Sequence, residues 1–222
     1  MSKITYEEAR GTLDDINNKL AGENASQYLE CLKAVGRGEN PFSPKMVLVP
    51  GYATWESKGD LIYITLPPSQ GVTGPQWIEY FKEEDINLSD DAKAVLESTE
   101  FQPTIPGTVH KIVALRGTFW KKNSERTNKA IQAEGVLRKW PETHPEAVCI
   151  VRKCFSDKQL EKMGLWYLVG IHKPIEVHGR LHFLRADRYD RGRWLYTVYA
   201  KPDSFWSGDG AFFWSLPQEN QS

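Results

Sequence analysis

The chain has 222 residues, of which 40% are apolar and 26% are charged, and its formal net charge is −1. These are ordinary values for a globular protein, and a chain of this length buries enough apolar surface to fold without disulfides or metal ions. No apolar run has the length of a signal peptide or a membrane span, which argues against a membrane partner and predicts a cytoplasmic location. Cys31, Cys149 and Cys154 lack the paired spacing of a disulfide framework, so we expect three reduced thiols and no disulfide.

The two halves of the chain carry opposite charge. Residues 1–106 contain 9 Lys or Arg and 17 Asp or Glu, a net charge of −8, whereas residues 107–222 contain 19 and 12, a net charge of +7. Two halves of one fold can simply complement each other. Alternatively, the basic half binds a polyanion such as nucleic acid, which a concentrated positive charge attracts.

The first forty residues predict a pair of helices. Thr5 followed by Glu8 matches a capping box, and apolar residues then recur at helical spacing as far as Gly22. Asn24 can cap a second helix, which ends before the segment GRGENPFSP with its two glycines and two prolines. We therefore predict an N-terminal helical arm or cap over residues 1–40 and an α+β domain over residues 45–217, with one single domain over residues 1–217 as the alternative.

Strands and then two short helices are predicted next. KMVLVP and YATWESKGDLIYITLP are rich in β-branched and aromatic residues, and SKGD supplies a hairpin turn within the second of these segments. The first helix begins just before Pro75, and the second begins at Ser89 with two aspartates in its first turn.

The second half of the chain mixes strands and helices without a strict repeat. TVHKIVALRGTFW predicts a strand, SERTNKAIQAEGVLRKW a helix capped by Ser124, AVCIVRKCF a strand and SDKQLEKMG a short helix. LWYLVGI is almost continuously apolar, as is typical of a central strand covered on both faces. RLHFLRA, RWLYTVYA and AFFWSL predict an antiparallel meander. Together these elements predict an α+β fold with a mixed, largely antiparallel sheet, packed helices and the N-terminal helical pair.

A basic segment at residues 110–140 gives the strongest indication of a binding site. Lys121, Lys122 and Arg126 cluster at the start of the predicted helix, where backbone N–H groups and the helix dipole attract anions. Trp120 beside them can stack on a base. Our leading hypothesis is a non-enzymatic protein that binds nucleic acid, a nucleotide or another anionic ligand, using the residues Arg116, Trp120, Lys121, Lys122 and Arg126. Ordinary surface and core residues are the simpler interpretation of this segment.

The segment IHKPIEVHGRLHFLRADRYDRGRW provides an alternative site. It contains His172, His178 and His182 beside Arg185 and Arg188, which suits a small-molecule enzyme with a histidine as proton carrier and an arginine holding an anionic substrate. Strand alternation directs the side chains of His182 and Arg185 to opposite faces, so they need not converge. A solvated hairpin is the simpler interpretation.

Other chemistry has less support. The chain contains neither CxxC nor HExxH, and His178 and His182 would lie about 13 Å apart in an extended chain, so we predict no metal and no cofactor. No residues are assigned a catalytic role. In a third hypothesis, the acidic helical arm and the aromatic C-terminal part bind another protein. A pocket where histidine and arginine converge would favour the small-molecule hypothesis, and a flat basic face would favour a polyanion.

Overall fold

The computed structural model describes residues 53–189 and 192–217. The predicted N-terminal helical pair, the predicted strand KMVLVP and Cys31 lie outside the described residues. Within them, five α-helices accompany one mixed sheet of nine strands, which confirms the α+β class. No helix in this part of the chain has both the length and the apolar character needed to cross a bilayer.

The elements follow one another in chain order. The strands are β1 (Thr54–Lys58), β2 (Leu61–Thr65), β3 (Asn87–Leu88), β4 (Lys111–Arg116), β5 (Tyr167–Gly170), β6 (Ile175–Val177), β7 (Arg180–Tyr189), β8 (Gly192–Tyr199) and β9 (Gly210–Ser215). The helices are α1 (Gly74–Glu83), α2 (Asp90–Glu97), α3 (Asn128–Leu137), α4 (Pro145–Cys154) and α5 (Asp157–Lys162), and two short 3₁₀ turns cover Gly117–Phe119 and Asn123–Glu125.

The sheet has the strand order β1-β2-β4-β9-β5-β7-β8-β3, and β6 pairs with β7 outside this path. All neighbours are antiparallel except the β5–β9 and β3–β8 pairs, so the sheet is mixed and largely antiparallel, as predicted. The predicted meander of the last three strands is wrong in one respect. Strands β7 and β8 do form an antiparallel hairpin, but β9 lies between β4 and β5. Five of its six residues are buried, which suits the centre of the sheet rather than a position beside β8.

Both predicted short helices are present. Thr73 precedes α1 and forms a capping box with Gln76, while the Ser89 hydroxyl accepts a hydrogen bond from the backbone N–H of Ala92 at the start of α2. Such caps satisfy backbone N–H groups that have no partner within the helix. The backbone N–H of Ser89 donates to the carbonyl oxygen of Leu195 at 3.2 Å, which joins the start of α2 to β8.

The segment AVCIVRKCF is helix α4, so the predicted strand is wrong. His144 caps the helix through its Nδ1, which accepts the backbone N–H of Glu146, and Pro145 occupies the first turn. Seven of the ten helical residues are buried, which removes the polar face that would reveal a helical period in the sequence. Cys149 is buried and Cys154 partly buried, and both are free thiols.

Helix α3 begins later than predicted. Its cap is Thr127, whose hydroxyl accepts the backbone N–H of Ala130 at 3.2 Å, whereas Ser124 lies in the preceding 3₁₀ turn. Helix α3 and the loop before β9 cover one face of the sheet with a largely aromatic cluster, comprising Leu115, Ile131, Tyr167, Val169, Ile171, Phe183, Trp206, Phe212 and Trp214. Helix α4 is in contact with β5, β7 and β8. Every residue of β5 is buried, which confirms the prediction of a central strand.

Candidate ligand pocket at the sheet edge

A cavity of about 390 Å³ lies beside β8. Its lining comes from α2, β7, β8 and the loop before β9, and consists of Asp91, His182, Arg185, Thr197, Val198, Tyr199, Ser204, Phe205 and Trp206. Strand β3 pairs with β8 only at Trp194 and Leu195. Within the described residues, the remainder of β8 has no strand on its outer side and therefore forms the edge of the sheet beside the cavity. We call this cavity the edge pocket.

The loop before β9 forms one wall of the edge pocket, and side chains at and just before the start of α3 hold this loop in place by hydrogen bonds. The side-chain amide of Asn128 donates to the carbonyl oxygens of Tyr199 and Lys201 at 2.9 and 2.8 Å, and its Oδ1 accepts the indole N–H of Trp206 at 2.8 Å. The guanidinium of Arg126 donates to the carbonyl oxygen of Trp206 at 2.8 Å. These bonds hold the Trp206 ring in one orientation, so this wall is formed before any ligand arrives.

His182 is the buried polar group of the edge pocket. The residue is 1% exposed, and neither ring nitrogen has a hydrogen-bond partner among the described residues. Its ring lies against Tyr199, with 5.1 Å between the ring centroids. Buried polar atoms are nearly always hydrogen-bonded, so an imidazole without partners at a cavity wall points to a ligand or water as its missing partner.

A carboxylate stands next to this histidine. Asp91 Oδ2 is 3.7 Å from His182 Nε2, and Asp91 Oδ1 is 4.0 Å from His178 Nε2. Asp91 is the second residue of α2 and lies in its first turn, two positions after the Ser89 cap. His178 reaches the same carboxylate from the turn between β6 and β7, where it has a φ of 52° and precedes Gly179.

Arg185 supplies the cationic wall. Its Nη2 is 2.6 Å from Asp187 Oδ2, while its buried Nε has no hydrogen-bond partner in the described part of the chain. The guanidinium lies over three aromatic rings, 5.3 Å from Tyr167, 5.6 Å from Tyr196 and 5.9 Å from Trp206. These contacts hold the guanidinium in place, while its Nε–H has no partner in the described residues and can donate a hydrogen bond to an anion.

The electrostatic balance of the edge pocket depends on pH. Burial raises the pKa of Asp187 to about 6, although the adjacent Arg185 opposes this rise. Protonation of Asp187 removes a negative charge beside Arg185, so the edge pocket accepts an anion more readily in mildly acidic solution.

The other two residues of the predicted alternative site lie elsewhere. His172 is fully buried, its Nε2 accepts the backbone N–H of Leu184 at 2.9 Å, and burial lowers its pKa to about 4. Arg188 lies over the Trp166 ring at 4.1 Å and pairs with Glu161 at 2.8 Å. The structure therefore brings His182 and Arg185 to one cavity, with His178 close to its Asp91 wall, and does not bring His172 or Arg188 to it.

The predicted phosphate-binding residues do not form one exposed cluster. The guanidinium of Arg126 is buried and donates to the carbonyl oxygens of Gly117 and Trp120 at 2.6 and 2.7 Å, as well as to Trp206. Arg116 donates to the carbonyl oxygen of Met163 at 2.5 Å and to Ser57 Oγ. Trp120 is partly buried against the aromatic cluster. Lys121 and Lys122 are exposed, and Lys122 lies 3.9 Å from Glu125.

Some acidic residues of the first half lie beside basic ones of the second half. Glu100 Oε2 is 3.8 Å from Lys173 Nζ, and Asp91 approaches both His178 and His182. Such interleaving neutralises charge at short range and weakens the argument from charge asymmetry for a polyanion site.

Sequence reasoning missed Asp91, Thr197 and Ser204 as pocket residues. Asp91 was recognised only as part of a helix start, and the two hydroxyl residues have no local motif. Across the described ranges, no group of three or more His, Cys, Asp or Glu residues is arranged to hold a metal ion.

Comparisons of this chain with protein-family models, with curated protein sequences and with solved structures found no match. The functional argument therefore rests on the geometry of the edge pocket.

Proposed function

We propose that the protein binds a small anionic molecule with a flat apolar part in the edge pocket. The observation that supports this proposal best is that Arg185, whose buried Nε has no partner in the described residues, lines a cavity beside Trp206. Arg185 provides the charge, and His182, from the opposite face of β7, adds a hydrogen-bonding group to the lining. Either a carboxylate or a phosphate ester has the required acceptor oxygens.

The aromatic lining supports the flat apolar part. The Trp206 ring is 7% exposed and is held by Asn128, while the Phe205 side chain is 74% exposed beside it. Rings of this kind stack on planar ligand groups and remove them from water. A volume of about 390 Å³ lies within the range of ordinary small-molecule sites and is too small for a folded partner.

Calorimetric titration with benzoate tests the proposal. Benzoate has one carboxylate on one aromatic ring, and for a ligand of this size we expect saturable binding with a Kd on the order of 1 mM at pH 6. Benzamide and benzylamine are matched neutral and cationic probes. Weaker binding of both supports the proposal, whereas binding of benzylamine in preference to benzoate contradicts it.

Substitution of Arg185 locates the site. We expect Arg185→Gln to weaken benzoate binding at least about tenfold, because the only arginine lining the pocket in the described chain is removed. Arg188→Gln is the matched control, since Arg188 lies on the same strand and contacts Trp166 and Glu161 instead. Equal losses in both variants would place the site elsewhere.

The same site offers a second proposal, that the bound anion is a substrate. Asp91 lies 3.7 Å from His182, an arrangement that can orient an imidazole for proton transfer. Release of a changed product from a bound anion, followed by NMR and lost in His182→Gln, is the result that this proposal requires.

Binding of single-stranded nucleic acid remains a separate proposal, supported by the exposed neighbours Lys121 and Lys122. We expect Lys121→Glu with Lys122→Glu to weaken binding at about 50 mM salt more than Arg188→Glu with Arg191→Glu does. No binding at that salt concentration, or equal losses, would contradict this proposal. A protein partner and a cytoplasmic location likewise remain proposals.

A further inference from the structure

Resting on the proposed anion site, we propose that its ligand is a short acidic peptide segment, which pairs as an added antiparallel strand with the free edge of β8. The segment carries its carboxylate on one side chain and an aromatic ring on the side chain two residues before it. Thr197, which lines the edge pocket, supplies the backbone groups for this pairing.

Alternate residues of β8 direct their backbone groups away from β7. The carbonyl oxygen of Leu195 accepts the backbone N–H of Ser89, and the carbonyl oxygen of Tyr199 accepts the side-chain amide of Asn128. Both partners lie outside the β7–β8 hairpin. Thr197 lies midway between these two residues of the strand, so its N–H and C=O point outward as well.

The outward groups of Thr197 have no hydrogen-bond partner among the described residues, and neither has the backbone N–H of Tyr199. A free strand edge is a template for another extended chain, and several classes of peptide-binding domain use such an edge. The free stretch is short, because the carbonyl oxygens of Leu195 and Tyr199 at its two ends already have partners. It therefore fits a segment of about three residues.

An added strand contacts both faces of the sheet, as the lining of the edge pocket does. Side chains alternate between the two faces along an extended chain. In antiparallel pairing, the segment residue opposite Thr197 directs its side chain to the face that carries His182. The residues before and after it direct theirs to the other face, which carries Arg185. No single group of the ligand has to reach both faces.

The face that carries Arg185 favours an acidic side chain and an aromatic one. Arg185 lies opposite Tyr196 in the β7–β8 pairing, with its guanidinium 5.6 Å from the Tyr196 ring. A segment residue opposite Tyr196 continues this row, so a carboxylate there complements the charge of Arg185. A segment residue opposite Val198 lies beside a side chain that packs against the cluster containing Trp206, which suits an aromatic ring.

Calorimetric titration with the blocked tripeptide N-acetyl-Phe-Ala-Glu amide tests the pairing. In the proposed register Phe lies opposite Val198, Ala opposite Thr197 and Glu opposite Tyr196. We expect the peptide to bind at least about tenfold more tightly than benzoate, because its backbone adds hydrogen bonds to the edge. Equal or weaker binding of the peptide would contradict the proposal.

Two N-methylated forms of the peptide distinguish backbone pairing from binding of the carboxylate alone. The Ala N–H donates to the Thr197 carbonyl oxygen, whereas the Glu N–H points away from β8. Methylation of the Ala nitrogen should therefore weaken binding at least about tenfold. Methylation of the Glu nitrogen is the matched control and should leave the affinity unchanged. Equal affinities of the two forms, or a greater loss in the control, would overturn the pairing.

Replacing the Glu of the peptide by Gln tests the charge. The wild-type protein should prefer the Glu peptide by at least about tenfold, and Arg185→Gln should abolish this preference. Arg188→Gln, the matched control, should retain it. A preference that persists in Arg185→Gln would contradict the proposed register. If Arg185→Gln does not fold, the methylated peptides still test the pairing with the wild-type protein.

Failure of this proposal is distinguishable from failure of the proposed function. Absence of benzoate binding contradicts the anion site itself. Binding of benzoate with no gain in affinity from the peptide backbone leaves the anion site standing and overturns the added strand.

Discussion

Glu146 lies in the first turn of α4, is fully buried, and joins two loops that are distant in sequence. Its Oε1 accepts the Ser69 hydroxyl at 3.0 Å and the Val72 backbone N–H at 3.2 Å. Its Oε2 accepts the Thr104 backbone N–H at 2.8 Å and the Thr104 hydroxyl. We expect Glu146→Gln to destabilise the fold, because a carboxamide cannot accept hydrogen bonds at both ends.

The expected loss follows from these contacts. Whichever way the amide is turned, its NH₂ group faces one backbone N–H, and a buried donor without a partner costs about 1–3 kcal/mol. The remaining bonds lose their charge assistance, which is about 1 kcal/mol each, while the neutral side chain is less costly to bury. We therefore expect the free energy of unfolding to fall by about 2–4 kcal/mol.

Urea unfolding at pH 7, followed by circular dichroism, measures this loss. Glu142→Gln is the matched control, because Glu142 is exposed and lies just before the same helix. The control should change the free energy of unfolding by less than about 0.5 kcal/mol. A Glu146→Gln protein as stable as the control would refute the role given to this carboxylate.

Three further predictions concern packing, acid stability and thiol reactivity. Gly135→Ala should lower stability by about 2 kcal/mol in urea unfolding, since the added Cβ would lie 2.3 Å from Trp214 Nε1; unchanged stability would contradict this close approach. The folded-state pKa of His172 is about 4, below its value in the unfolded chain. The free energy of unfolding should therefore fall as the pH drops from about 6.5 towards 4, by about 2 kcal/mol at pH 5. The variant His172→Gln should show a flatter dependence on pH. Cys154 should react with a thiol reagent faster than the fully buried Cys149, and equal rates would show that α4 is misplaced.

Local signals in the sequence were sufficient for the elements that end in clear turns and caps. The β1–β2 hairpin, both short helices, the central strand β5 and the β7–β8 hairpin are where the sequence predicts them. Helix α4 could not be recognised, because the segment AVCIV is buried on all sides and has neither a helical nor a strand period. The neighbours of β9 are set by packing across the whole sheet, which no local pattern records.

The candidate site shows the same limit. Alternation along β7 correctly assigns His182 and Arg185 to opposite faces, yet both line the edge pocket. Three consecutive residues of β8, Thr197–Tyr199, also line it, so the cavity reaches both faces at this edge. Arg126 shows the converse, because the sequence predicts that it binds phosphate at a helix start, and instead its guanidinium donates to carbonyl oxygens in the interior. Which charges face a cavity depends on tertiary contacts that sequence spacing does not contain.

A crystal structure of the complex with 4-bromobenzoate, in which the bromine is located by its anomalous scattering, tests the anion site most directly. The account predicts the carboxylate within hydrogen-bonding distance of the Arg185 guanidinium, with the aromatic ring against Trp206. A bromine located beside Lys121 and Lys122, or an empty edge pocket in a crystal where the ligand is bound elsewhere, would contradict it.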